Sequence, residues 1–209
     1  MSKIARFVVG LLETNCYVIS SEKGEESVII DPGGNAKAIE EYLNKNNKKP
    51  VACLCTHGHF DHILDAKKWQ EKGAKIYLHK NDLGLFTEEE ETFPGRKLGY
   101  PTTTPDVYVK ENDSLAFGEM KFRVVETPGH TQGGVCYILD DQYIFSGDTI
   151  FLHSYGRTDL GGGDFGKLVD SINKILRMEG DRVIYPGHGE TTTQKEERYF
   201  NPLYNYENN

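Results

Sequence analysis

Thr56-His57-Gly58-His59-Phe60-Asp61-His62 gathers three imidazoles and a carboxylate within six residues, directly behind the apolar run Val51-Ala52-Cys53-Leu54-Cys55. A hydrophobic core does not accept four such groups side by side, and imidazole with carboxylate suits Zn²⁺, Fe or Mn²⁺. The chain must therefore deliver the end of a strand to a polar centre. The run before the histidines is apolar at every position, as in a strand covered on both faces, which points to a sheet flanked by helices. Ligand sites of open α/β sheets lie past the carboxyl ends of such strands, where this stretch sits.

The remaining segments fall into two similar batches. Strands are predicted over 4–9, 15–20 and 27–31, the last closed by the turn Asp31-Pro32-Gly33-Gly34. Asn35 is placed to cap a helix running to about Asn46, and a second helix begins near Asp61 and continues through Trp69. A strand over 74–79 and a short helix over 81–86 follow. From Thr87 to Pro105 the pattern breaks down into an acidic run and then Pro and Gly, a long loop or lid. Strands resume over 107–110, 115–117, 120–126, 135–139 and 143–146. Asp164, after Gly161-Gly162-Gly163, caps a helix, and a strand over 182–185 closes the series. The whole of 1–209 reads as one domain.

Composition narrows the function classes. The net charge of −8 and the lack of a basic run argue against a nucleic-acid partner. No apolar run reaches the roughly 18 residues of a membrane span. The opening Met-Ser-Lys-Ile-Ala-Arg-Phe lacks the apolar region of a signal peptide, so the cytoplasm is the expected location. Cys16, Cys53, Cys55 and Cys136 read as buried, reduced thiols. A small-molecule substrate is the expected partner, and nothing in the sequence sets an oligomeric state.

Three later segments each set a ligand-type residue after a strand, in a turn containing Gly: Thr127-Pro128-Gly129-His130, Ser146-Gly147-Asp148 and Tyr185-Pro186-Gly187-His188. Glycine lets the backbone approach a centre closely while the neighbouring side chain turns inward. Counting the opening stretch, five of the seven histidines lie just past a strand, four of them next to a Gly.

The pattern His57-x-His59-x-Asp61-His62, then His130, Asp148 and His188, resembles the metallo-β-lactamase superfamily across nearly the whole chain. The resemblance implies an αββα fold in the α/β class, with two mixed sheets sandwiched between helices. It also implies two divalent metal ions, Zn foremost, with Fe or Mn as alternatives. His57, His59 and His130 would hold one metal, Asp61, His62 and His188 the other, and Asp148 would bridge them. β-Lactamases of this fold typically carry a cysteine near the position of Asp148, and flavodiiron proteins a glutamate at the place of His59. Tyr155-Gly156-Arg157-Thr158-Asp159 and the tail Glu197-Arg198-x-x-Asn201-Pro202 look like the compact glyoxalase II-like (hydroxyacylglutathione hydrolase-like) proteins. Gly134 stands where glyoxalase II tends to have a second histidine, and only 21 residues follow His188, so the carrier thiol stays open.

The expected reaction is cleavage of a hydroxyacyl-type thioester by a metal-bound hydroxide, with Asp61 catalytic as a ligand that orients the nucleophile's proton. The alternative is a persulfide dioxygenase-like oxidoreductase in which His57, His130 and Asp148 hold a single iron. Arg157 and Tyr155 are candidate substrate contacts. For Arg157 a buried structural pair with Asp159 is the competing expectation. His153 also follows Asp148 closely enough to line the cleft. His79 reads as a surface or capping residue and Trp69 as core.

Overall fold

A computed structural model of the chain describes residues 2–86 and 103–206. The loop or lid expected over 87–105 falls mostly on 87–102, outside the described residues.

Strands β1 (Ser2–Val9), β2 (Thr14–Ser21) and β3 (Glu26–Ile30) run antiparallel. β4 (Lys49–Leu54), β5 (Lys75–His79) and β6 (Val107–Val109) then add in parallel, completing a six-stranded sheet in the order β1-β2-β3-β4-β5-β6. The second sheet starts with the antiparallel strands β7 (Ser114–Phe117), β8 (Met120–Glu126), β9 (Val135–Leu139) and β10 (Tyr143–Gly147). After a small hairpin of β11 (Ile150–Phe151) and β12 (Ser154–Tyr155), β13 (Val183–Pro186) joins β10 in parallel and β14 (Thr192–Thr193) closes the order β14-β13-β10-β9-β8-β7. The helices are α1 (Ala36–Lys45), α2 (Phe60–Ile63), α3 (Ala66–Glu71), α4 (Leu83–Phe86), α5 (Phe165–Leu176) and α6 (Gln194–Phe200). None of the helices among the described residues is long and apolar enough to cross a membrane.

Side-chain alternation along the strands assigns the layers. Ala52 and Leu54 face the second sheet and pack with Tyr17, Val28, Phe122, Val124 and Tyr137. Cys53 and Cys55 turn the other way, onto Ile39 and Leu43 of α1 and Trp69 of α3. On β9, Tyr137 and Leu139 face the first sheet, while Cys136 and Ile138 meet Leu168, Ile172 and Ile175 of α5. The result is the expected four-layer αββα arrangement. All four cysteines are free and buried.

Two local expectations fail, for one reason. Asn35 precedes α1 with φ 56° and makes no side-chain cap; the Ala36 N–H donates instead to Asp65 Oδ2 at 2.9 Å. The helix expected from Asp61 through Trp69 breaks between Ile63 and Ala66, because Asp65 turns inward to that task while its own N–H donates to the Pro32 carbonyl at 2.8 Å. The carboxylate is buried, so Asp65→Ala should lower stability by about 1–2 kcal/mol, read as a fall in the denaturant midpoint. An unchanged midpoint would contradict this capping role. Asp164 does cap α5, accepting from the Lys167 N–H at 3.0 Å.

Candidate metal centre

Both sheets deliver side chains to one point at their carboxyl ends. The first contributes the turn after β4 with His57 and His59, and the one-turn helix α2 with Asp61 and His62. From the second come His130 after β8, Asp148 after β10 and His188 after β13. Ligand atoms of His57, His59 and His130 lie within 4.8 Å of one another, as do those of Asp61, His62 and His188, and those of His57, His62 and Asp148. His59 Nδ1 is 2.9 Å from His130 Nε2. Asp148 reaches both groups: its Oδ1 is 3.4 Å from His62 Nε2, and its Oδ2 is 3.4 Å from His130 Nε2 and 3.6 Å from His188 Nε2. All seven residues singled out from the sequence are brought together.

The donor set fits a cation. His57 Nε2, His62 Nε2 and Asp148 Oδ1 are buried and have no hydrogen-bond partner among the described residues. Buried polar atoms left in this state are costly, and lone pairs converging from imidazoles and carboxylates are what a divalent ion satisfies. Five histidines and two carboxylates, without a thiolate among them, match Zn²⁺, Fe or Mn²⁺.

Behind the inward-facing atoms, a second set of contacts fixes the rings of His57, His62, His130 and His188. The Thr56 hydroxyl donates to Asp31 Oδ2 at 2.8 Å and accepts from His57 Nδ1 at 3.0 Å. Asp31 Oδ2 also accepts from His62 Nδ1 at 2.9 Å, and Asp31 Oδ1 from the Thr56 N–H at 2.7 Å. His130 Nδ1 donates to the Arg157 carbonyl at 2.6 Å and His188 Nδ1 to the Leu12 carbonyl at 3.0 Å. Thr14 donates its hydroxyl to Asp61 Oδ2 at 2.8 Å. Asp31 and Thr14 were not singled out from the sequence. The signal for Asp31 was present, since a carboxylate at a strand end before Pro-Gly-Gly has the form of the other ligand turns.

The charges divide. Burial, followed by the neighbouring imidazoles, holds His57 well below the usual histidine value, and burial with His130 lowers His59 to about 3. Burial works against charge at His62 too, but Asp61, Asp148 and Asp31 outweigh it and raise that ring well above its usual value. His188 is raised against burial by Asp61 and Asp148. Asp148, despite burial, is lowered to about 2 by His62, and Asp61 is lowered by His62, His188 and Thr14.

These directions set a pH dependence. In metal-stripped protein, His62 and His188 contribute stability that is full below about 6.5 and lost as pH rises through their raised values. His57 and His59 contribute stability present above about 6.5 and lost as pH falls. Since ligation needs neutral imidazole, an ion entering beside His62 and His188 must displace protons. Zn²⁺ affinity for the stripped protein should therefore rise with pH across neutrality. Titration calorimetry at pH 6.5 in buffers of different protonation enthalpy should show net proton release, and an identical heat in all buffers would contradict it.

Residues beyond the seven sort differently from expectation. Arg157 and Asp159 do pair, Nε to Oδ1 at 2.7 Å, but in solvent, with side chains 59% and 68% exposed, because neither has a buried partner to draw it inward. Arg157 meets the centre through its carbonyl. Tyr155 is half-buried, packed beside the α5 layer with its ring 6.2 Å from that of Phe165. His153 does not line the centre. Its φ of 53° turns it toward α6, where it pairs with Glu196 at 2.9 Å and sets its ring, tilted, with its centroid 4.7 Å from that of Phe200. His79 caps the following turn through Asn81 N–H and pairs with Glu126 at 3.1 Å, and Trp69 is core.

Comparison with known proteins agrees with this geometry. The family model for the metallo-β-lactamase superfamily matches residues 9–188. Hydroxyacylglutathione hydrolase GloC of Haemophilus influenzae is 31% identical over 203 residues, covering 94% of this chain and 95% of that protein. The crystal structure of BLEG-1 B3 metallo-β-lactamase is 37% identical with a TM-score of 0.85, covering 99% of this chain and 100% of that one. ETHE1 from Myxococcus xanthus is 25% identical with a TM-score of 0.80, covering 96% of this chain and 83% of that one. The fold, the His/Asp clusters and the matched span lead to one assignment: the chain belongs to the metallo-β-lactamase superfamily of metallo-hydrolases, with a centre suited to divalent metal ions.

Proposed function

We propose that the chain is a single metallo-β-lactamase-like domain, 1–209, acting in the cytoplasm as a binuclear metal-dependent hydrolase of a hydroxyacyl-type thioester. The observation carrying this reading is the reach of Asp148 to both histidine groups, with its Oδ1 buried and without a hydrogen-bond partner among the described residues. His57, His59 and His130 would hold one ion, Asp61, His62 and His188 the other, and Asp148 would bridge them. Zinc, with iron or manganese as alternatives, supplies there a Lewis acid for the scissile carbonyl and brings water toward deprotonation at neutral pH. Asp61, kept ionised and fixed by the Thr14 hydroxyl, orients the proton of the attacking water. The centre is most open at His188, whose side chain is 26% exposed, and the thiol would leave there. Arg157 and Tyr155 stand on either side of Gly156, whose added Cβ would strike the Asp148 backbone carbonyl, and are the candidate substrate contacts. The likeness to GloC supports a hydroxyacyl thioester, and the four buried thiols suit a reducing compartment.

A second reading, a persulfide dioxygenase-like oxidoreductase with one iron held by His57, His130 and Asp148, is supported by the likeness to ETHE1. Metal analysis of the purified protein, with parallel assays on S-hydroxyacyl thioesters, persulfides and a chromogenic β-lactam, separates the readings. Two ions per chain with thioester hydrolysis is the expected result. One iron with oxygen uptake on a persulfide would replace it by the second reading, and cleavage of the β-lactam alone would overturn both.

A further inference from the structure

We propose that Asp82 is a positioning residue that sets the spacing, and so the metal affinity, of the His57–His59–His130 half of the centre. The inference rests on reading those three histidines as ligands. Asp82 closes the short 3₁₀ turn Lys80–Asp82 after β5 and has no accessible surface. It is not among the groups whose ligand atoms converge on the centre. Its carboxylate instead joins the two loops that carry them. Oδ2 accepts from the N–H of Gly58, between His57 and His59, at 2.9 Å, and from the hydroxyl of Thr131, next to His130, at 2.8 Å. Oδ1 accepts from the N–H of Gly133 at 2.6 Å.

The two loops come from different sheets, one after β4 and the other between β8 and β9. Between them stands the closest ligand pair in the centre, His59 Nδ1 and His130 Nε2 at 2.9 Å. The neighbouring strand ends are already tied by Val135 N–H to the Thr56 carbonyl at 2.8 Å. Beyond that tie, three charge-assisted hydrogen bonds to one carboxylate hold the loop tips together, and such bonds are short and strong. The fit leaves no room: a Cβ on Gly133 would come within 2.7 Å of Asp82 Oδ1. An amide at position 82 presents a donor where one of these donors now points, so the loops must part. The other half of the centre takes its support elsewhere, from Thr14, Asp31 and the Leu12 carbonyl. A loss at Asp82 is therefore confined to one ion, whereas a residue serving only overall stability would weaken both alike.

The test is competition of Zn²⁺ against a chromophoric chelator, using stripped full-length protein: wild type, Asp82→Asn, Thr131→Val and His59→Ala. Asp82→Asn should weaken one ion by roughly 10- to 100-fold and leave the other unchanged. The unchanged ion should have the affinity of the ion that His59→Ala retains. Thr131→Val, which removes one of the three hydrogen bonds, should shift the same ion by a smaller factor, and it decides the matter if Asp82→Asn does not fold. Equal weakening of both ions, or of neither, would overturn the role of Asp82. If His59→Ala itself kept both ions at wild-type affinity, the ligand reading would fall and this inference with it.

Discussion

Asp148→Ala is expected to strip metal from both halves of the centre and to lower kcat/KM for thioester hydrolysis by roughly 1000-fold, the scale of losing a preorganised charge at the reacting atoms. Each other candidate ligand belongs mainly to one half. Asp148 alone presents one oxygen toward His62 and the other toward His130 and His188, at 3.4–3.6 Å. Removing it leaves His62 buried with one carboxylate fewer to favour its charged form, so the second half loses a ligand and an electrostatic partner together. His59→Ala, by contrast, should cost about one ion per chain. Elemental analysis of the two variants beside wild type checks the difference. Two ions retained by Asp148→Ala would remove the bridging role.

Gly187→Ala should come next in size, although alanine is the smallest side chain available. A Cβ at this position would drive into Asp148 Oδ1 and lie 2.8 Å from His62 Cε1. His62 is locked by Asp31 through Nδ1, and the backbone at 187 is held by its own N–H, bonded to the Gly147 carbonyl at 2.8 Å, so the strain falls on Asp148. Overpacking of this kind typically costs about 1–3 kcal/mol. Here it falls on the candidate bridging ligand, so activity should drop by at least about 100-fold, as expected when reacting groups are displaced by about 1 Å. Circular dichroism with metal content distinguishes a folded, metal-poor variant from an unfolded one. A metal-replete Gly187→Ala with ordinary activity would show that the backbone there has slack.

Much of this centre was legible because its information is local. Each candidate ligand lies shortly after an apolar strand, and His57, His59, His130, Asp148 and His188 stand beside a glycine, so both signals lie within a few residues of the ligand. The strand 135–139 could be read to its exact ends because alternate residues belong to different layers, Tyr137 to the space between sheets and Ile138 to α5. What escaped depends on partners far along the chain. Asp31 looks like part of a Pro-Gly turn until His62, 31 positions on, is seen against it. Asn35 has good capping chemistry nearby but loses to Asp65, which arrives from beyond β4. His153 stands five residues past Asp148, yet its positive φ turns it to a different neighbourhood.

The division of the seven residues between the sheets has a mechanical meaning. Four come from the first sheet and three from the second, so an ion bound to His59 and His130, or to His62 and His188, fastens one half of the molecule to the other. Such an ion acts as a rivet through the sandwich, adding to the apolar contacts between the sheets a joint that is made and broken with metal supply. Its contribution grows as RT ln(1 + [M]/Kd). Chelation should accordingly lower the thermal midpoint and speed amide exchange first in the loops after β4 and β8, before the inter-sheet core gives way.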